Sequence, residues 1–269
     1  MSKTTSSVIA PWLATLVVVV LLPILGKSAK SDFPARGALR SDACGQPREE
    51  IQPAGFSCVR RSADEPRWRL IPGGTNWLGS RTGAESPRPW TTGGFRLTET
   101  EITVGQFMAY LKSGAEAGFE SPQFERVGGV WRARIGLAQP VTHVTVGQAE
   151  GYAKWLGGQL GGEVRLPTEE EWEYAARAGV DGAPYPWGWE VPEGRACYAA
   201  AGPAAVGQYA ANRWGLRDMS GNVAEFCSGG VIRGGSWADR SPQLLRVFHR
   251  ILLPANYRDA DVGFRLLNN

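Results

Sequence analysis

Two histidines, His143 and His249, and a scatter of carboxylates are the residues of this 269-residue chain whose types could do chemistry at a metal. Two imidazoles with one carboxylate, such as Asp239, make the facial triad of nonheme iron sites. Nothing in the spacing brings these three together, and a packed, strand-end or core place is the favoured reading of each histidine. The cysteines, Cys44, Cys58, Cys197 and Cys227, never stand two to four residues apart, so a zinc site is not expected. They are even in number, and of the three connectivities that four cysteines allow the expected one is Cys44–Cys58 with Cys197–Cys227. Asp218-Met-Ser-Gly-Asn-Val-Ala-Glu225 sets two carboxylates either side of Gly221, which permits a tight turn. Read alone, Asp218 caps a turn there and Glu225 pairs with an arginine. Arg233, Arg246, Arg250, Arg258 and Arg265 gather in the tail beside Asp239, Asp259 and Asp261. A bidentate arginine site for an acidic ligand or partner is one use of them.

The elements that must hold these residues are legible in patches. Arg67 to Ser80 reads as an apolar strand, a Pro-Gly-Gly turn and a second strand, a β-hairpin. Phe95 to Lys112 begins as an alternating strand and turns helical at Thr103, an N-cap, with Phe107, Tyr110 and Leu111 on one face. Pro140 to Gly161 repeats the strand-then-helix device, with Thr145 as cap and Ala149, Tyr152, Ala153 and Leu156 at helical spacing. Thr168 and Glu171 form a capping box for a third helix, whose first turn is crowded with acids. Beyond it helical period is lost, and Trp187, Trp189, Trp214 and Trp237 are spread through glycine-rich chain as aromatic anchors.

The net charge of +3 resides in Lys3, Lys27 and Lys30; without them 26 basic side chains face 26 acidic ones. A neutral body argues against a general nucleic-acid binder, which neutralises phosphates with clustered bases. Val8 to Gly26 carries no charge and has the length of a signal peptide or a short membrane anchor. Export to the periplasm is therefore expected, anchored by residues 8–26 if that segment is uncleaved. Residues 31–66 read as a linker or extension, and 67–269 as one domain.

Five segments then appear in order: RLPTEEEWEYAARAG (Arg165 to Gly179), YPWG (Tyr185 to Gly188), NRWGLRDMSGNVAEF (Asn212 to Phe226), RGGSW (Arg233 to Trp237) and DVGFRL (Asp261 to Leu266). Together they resemble the formylglycine-generating enzyme, or sulfatase-modifying factor, domain. The resemblance implies an α+β, C-type-lectin-like fold, irregular and loop-rich. It implies a structural calcium ion, with carboxylate oxygens from Asp218 and Glu225 and backbone carbonyls from Gly221 and Val223. It also implies that the arginines and aspartates of the tail hold the C-terminal strands by ion pairs. Catalytic members carry a copper-binding cysteine pair just after RGGS; here that stretch reads WADRSPQLLRVFHR, and no cysteine follows Cys227. Copper(I) needs thiolates, so that activity is not expected. A groove around Trp237, Asp239, Arg246 and His249 would survive as a protein-binding surface. The chain is similar to periplasmic accessory proteins of type VI secretion, whose expected partner is the periplasmic part of a membrane Ser/Thr kinase. The alternative is a metal-dependent oxidoreductase of the nonheme-iron, siderophore-maturation branch.

Overall fold

The computed structural model describes residues 65–82, 85–116 and 118–269. The apolar segment, nearly all of the linker, and Cys44 and Cys58 lie outside these residues. No helix among the described residues is long and apolar enough to cross a membrane.

The first strands correct the hairpin expected within Arg67 to Ser80. Pro72-Gly73-Gly74 makes no turn: β1 (Trp68–Leu78) runs straight through it and pairs antiparallel with β2 (Arg88–Thr98). The glycines serve close approach instead. A Cβ on Gly73 would stand 2.7 Å from the Gly93 carbonyl across the pair, which no side chain tolerates.

Three helices follow their caps. α1 (Val104–Lys112) starts at Thr103 and buries Phe107, Tyr110 and Leu111. α2 (Val146–Leu160) starts at Thr145 and buries Ala149, Tyr152, Ala153 and Leu156. α3 (Glu169–Arg177) starts at Thr168. Each start is a full capping box, closed by Gln106, Gln148 and Glu171, so two orphan donors are satisfied at each. The strand expected ahead of α2 is reduced to one isolated bridge, Thr103 to Pro140.

β3 (Phe124–Val127) and β4 (Val130–Ala133) form a separate hairpin. One four-stranded sheet has the order β1-β2-β10-β5, with β5 (Val164–Arg165) and β10 (Leu267–Asn268). The other, β8-β7-β6-β9, joins β6 (Ala224–Phe226), β7 (Val231–Arg233), β8 (Arg250–Leu252) and β9 (Val262–Phe264). β6 and β9 run parallel; the remaining pairs are antiparallel. Phe107 and Tyr152 stack within one apolar core, ring centroids 5.5 Å apart, and Phe264 meets both edge-on. Trp172, fully buried, anchors a second with Ile71, Leu97 and Leu216. The chain from Val180 to Val223 carries no strand or helix longer than a bridge and is held by hydrogen bonds and aromatic rings. The fold is the mixed, loop-rich α+β architecture that the motifs imply.

Candidate functional site

The short sheet and α3 hold a buried lattice of acids and bases. Glu173 of α3 accepts from Arg177 Nη2 at 2.6 Å, from Gly79 N at 2.7 Å and from Arg233 Nη1 at 2.9 Å. Glu169 takes Arg233 Nη2 at 3.1 Å and Arg250 Nη2 at 2.6 Å. Glu225 of β6 receives a fork from Arg265, Nε at 2.5 Å and Nη2 at 2.7 Å, and the Trp172 indole N–H at 2.7 Å. These arginines pair with glutamates of α3 and β6, not with the tail's aspartates, which corrects the pairing the resemblance implies. Placement shows in one register pair: Glu225 of β6 and Arg233 of β7 stand opposite each other, and both reach α3, Arg233 at Glu173 and Glu225 at the Trp172 indole.

The loop expected to hold calcium is built tightly. Gly221 has a left-handed φ of 77°, and a Cβ there would collide with the Cys197 carbonyl. Asp218 Oδ2 accepts from Gly207 N at 2.5 Å. Beside it Glu101 is fully buried, takes Asn222 Nδ2 on one oxygen at 2.9 Å and has no partner on the other. Burial, then the neighbouring Asp218 and Glu225, push the Glu101 carboxyl well above the usual range, and burial raises Asp218 as well. Two such carboxyl groups in contact share a proton more cheaply than they carry two charges. As placed, Glu225 meets an arginine: three donors reach its two oxygens, and the buried Arg265 guanidinium balances its charge.

A distinct cavity of about 120 Å³ opens at the RGGSW turn, lined by Ser236, Asp239, His249, Tyr257 and Asp261 over an apolar floor that includes Ile232 and Val262. Ser236 organises it. Its N–H donates to Asp239 Oδ2 at 2.7 Å, and its hydroxyl donates to Asp261 Oδ2 at 3.1 Å. Burial and the nearby Asp259 and Asp239 raise the Asp261 carboxyl, whereas burial lowers His249. Of the groove residues read from the sequence, Asp239 and His249 line this cavity. Trp237 ties down its edge, with Nε1 donating to Ala260 O at 3.3 Å. Arg246 is not among the lining residues; it lies over the Phe248 ring, 5.8 Å from the centroid. His143 sits apart, on a strained left-handed backbone (φ 57°) with its N–H donating to Asp259 O. Among the described residues no three of His, Cys, Asp and Glu stand as a metal-holding group. The triad of His143, His249 and Asp239 is therefore not assembled.

Ser236 and Glu101 are not singled out by the sequence, and Asp261 is read there only as an ion-pair partner. Ser236 lies within RGGSW and Asp261 opens DVGFRL, so both carry a signal; Glu101 carries none.

The expected Cys197–Cys227 disulfide is also corrected, for both are free, buried thiols. Cys197 O accepts from Asn222 N at one end of β6, and Cys227 follows its other end. The strand Ala224–Phe226 separates them, whereas a disulfide needs Cα atoms within about 7 Å. Burial raises both thiols, so neither offers a thiolate at neutral pH.

Three comparisons place the chain among known proteins. A region of 210 residues is 32% identical to the serine/threonine-protein kinase pkn1 of Chlamydia pneumoniae, covering 65% of this chain and 33% of the kinase. The chain thus spans about a third of the length of that relative. A formylglycine-generating enzyme of Streptomyces coelicolor is 31% identical over 244 residues, 69% of this chain and 75% of the enzyme. Among solved structures, PvdO from Pseudomonas aeruginosa superposes with a TM-score of 0.66 at 25% identity, over 77% of this chain and 96% of that one. The model of the sulfatase-modifying factor enzyme 1-like domain matches residues 55–269, beginning ahead of Arg67. The chain belongs to the sulfatase-modifying factor enzyme 1-like family.

Proposed function

We propose that this chain is an exported, non-catalytic interaction protein, a scaffold of its family that works by contact rather than by oxidation. The observation that carries the reading is the thiol-free cavity at the RGGSW turn: Ser236, Asp239 and His249 line it, and no cysteine follows Cys227. The two described thiols are buried and held protonated, so neither substitutes for a copper ligand. The periplasm is the proposed compartment, on the strength of the apolar Val8 to Gly26 segment. A membrane Ser/Thr kinase is the proposed partner, with a role in type VI secretion. The support for a kinase partner is the similarity to a region within a chain named as a serine/threonine-protein kinase.

The test is a crosslinking pull-down of the tagged full-length chain from intact cell envelopes, read by mass spectrometry, with metal analysis of the same preparation. One abundant partner containing a kinase domain, and no redox metal in stoichiometric amount, is the expected result. Absence of a partner together with stoichiometric iron or copper would overturn the reading in favour of the oxidoreductase.

A further inference from the structure

The cavity at the RGGSW turn has an uncompensated charge. Among the described residues no ion pair reaches Asp239 or Asp261, whereas Arg233 on the same wall is already committed to Glu169 and Glu173. Each aspartate spends Oδ2 on Ser236, and among the described residues no hydrogen bond reaches its Oδ1. Two single oxygens from separate carboxylates suit a compact ammonium, which donates in several directions. They do not suit the planar fork of an arginine, which wants both oxygens of one carboxylate.

Size narrows the occupant further. About 120 Å³ is well under the roughly 300–1,000 Å³ of a small-molecule site, yet it admits one long side chain. Ile251, Leu253 and Val262 supply an apolar wall along which an aliphatic stem can lie while its charged end meets the acids. A separate observation points to a peptide. The cavity adjoins β8, the edge strand of its sheet, whose Ile251 and Leu252 are 44% and 68% exposed. An exposed edge can pair with an extended segment.

We infer that this cavity binds a lysine side chain presented by an extended segment of a partner protein, its ammonium between Asp239 and Asp261. The inference rests on the interaction reading and names the chemistry of its partner. A metal ion is not the occupant favoured here, because the acids and His249 do not converge as a ligand set.

The test titrates the full-length chain with Nα-acetyl-lysine methylamide and with its uncharged counterpart, Nα-acetyl-norleucine methylamide, by NMR. The lysine probe is expected to bind with a Kd of about 1 mM, the range of a weak fragment. The norleucine probe, and the lysine probe on Asp239→Asn or Asp261→Asn, are expected to bind at least about tenfold more weakly. Asparagine keeps an acceptor for Ser236, and an unchanged melting temperature certifies the fold of each variant. Equal binding of the two probes, or undiminished binding by the variants, would overturn the inference. The envelope pull-down separates this from the broader reading. Equal capture of the partner by wild type and the Asp239→Asn/Asp261→Asn variant sinks the lysine site alone. No partner for wild type sinks the interaction reading, and the probe titration still decides the cavity.

Discussion

Two acidic regions lie a few residues apart in this fold and are built on opposite rules. Beneath α3 and β6 every buried carboxylate of the lattice meets a guanidinium: Glu173 with Arg177 and Arg233, Glu225 with Arg265. At the RGGSW turn Asp239 and Asp261 meet only a serine. The paired region is closed and fixes how helix and sheet dock. The unpaired region opens to solvent through a cavity and retains charge for something outside the chain. What separates structure from recognition here is therefore whether each acid has its base, not how many acids there are.

The widest contrast comes from removing one base. Arg265→Met leaves Glu225 buried with the Trp172 N–H and no cation, and a loss of about 3–5 kcal/mol is expected in urea unfolding. Asp239→Asn should cost about 1 kcal/mol or less, since Ser236 keeps an acceptor. Equal losses would erase the distinction between the regions.

A second effect lies in pH. Glu101 and Asp218 have folded-state pKa values raised above their unfolded ones, so the folded chain binds more protons between those limits. Their contribution is fully present below the unfolded carboxylate range and is lost as pH rises through the folded values. Glu171 has the opposite sign. Against the opposing pull of burial, Arg165 holds it low, and its stabilisation is lost as pH falls through the folded value. Glu101→Gln should reduce the downward slope between those limits by up to about 1.4 kcal/mol per pH unit, the share of one proton, leaving that of Asp218. A slope unchanged in that variant, measured by urea unfolding across pH, would assign it elsewhere.

Smaller effects sharpen the same picture. Iodoacetamide should label neither Cys197 nor Cys227 in the folded chain and both in urea, as mapped by mass spectrometry; rapid native labelling of either would revive a reactive thiol. Chelation with EDTA should leave the melting temperature within about 1 °C, because Arg265 already balances Glu225; 1 kcal/mol of lost ion binding would move a domain of this size by about 2–4 °C. A drop of that order would return Glu225 to calcium.

Local signals carried most of what was legible in the sequence. Thr103, Thr145 and Thr168 start helices because a side-chain oxygen satisfies a backbone N–H three residues on, a relation contained within four residues. The motifs single out Asp218 and Glu225 for one site and Trp237, with Asp239 just after it, for another. Long-range partners were not legible. Pro72-Gly73-Gly74 reads as a turn until Gly93 is seen packed against it. Glu225 gains its arginine from β9's end, forty residues on, and no local signal names that partner as Arg265. Cys197 and Cys227 read as a pair because only their separation in sequence was visible, not the strand between them.

The most direct test of the division is capture of the envelope partner by the wild-type chain and by the Asp239→Asn/Asp261→Asn variant, with melting temperatures taken on both. The expected result is equal melting and loss of the partner from the variant alone. A variant that melts lower yet captures the partner as well as wild type would show that these aspartates, like the paired acids beneath them, are part of the fold and nothing more.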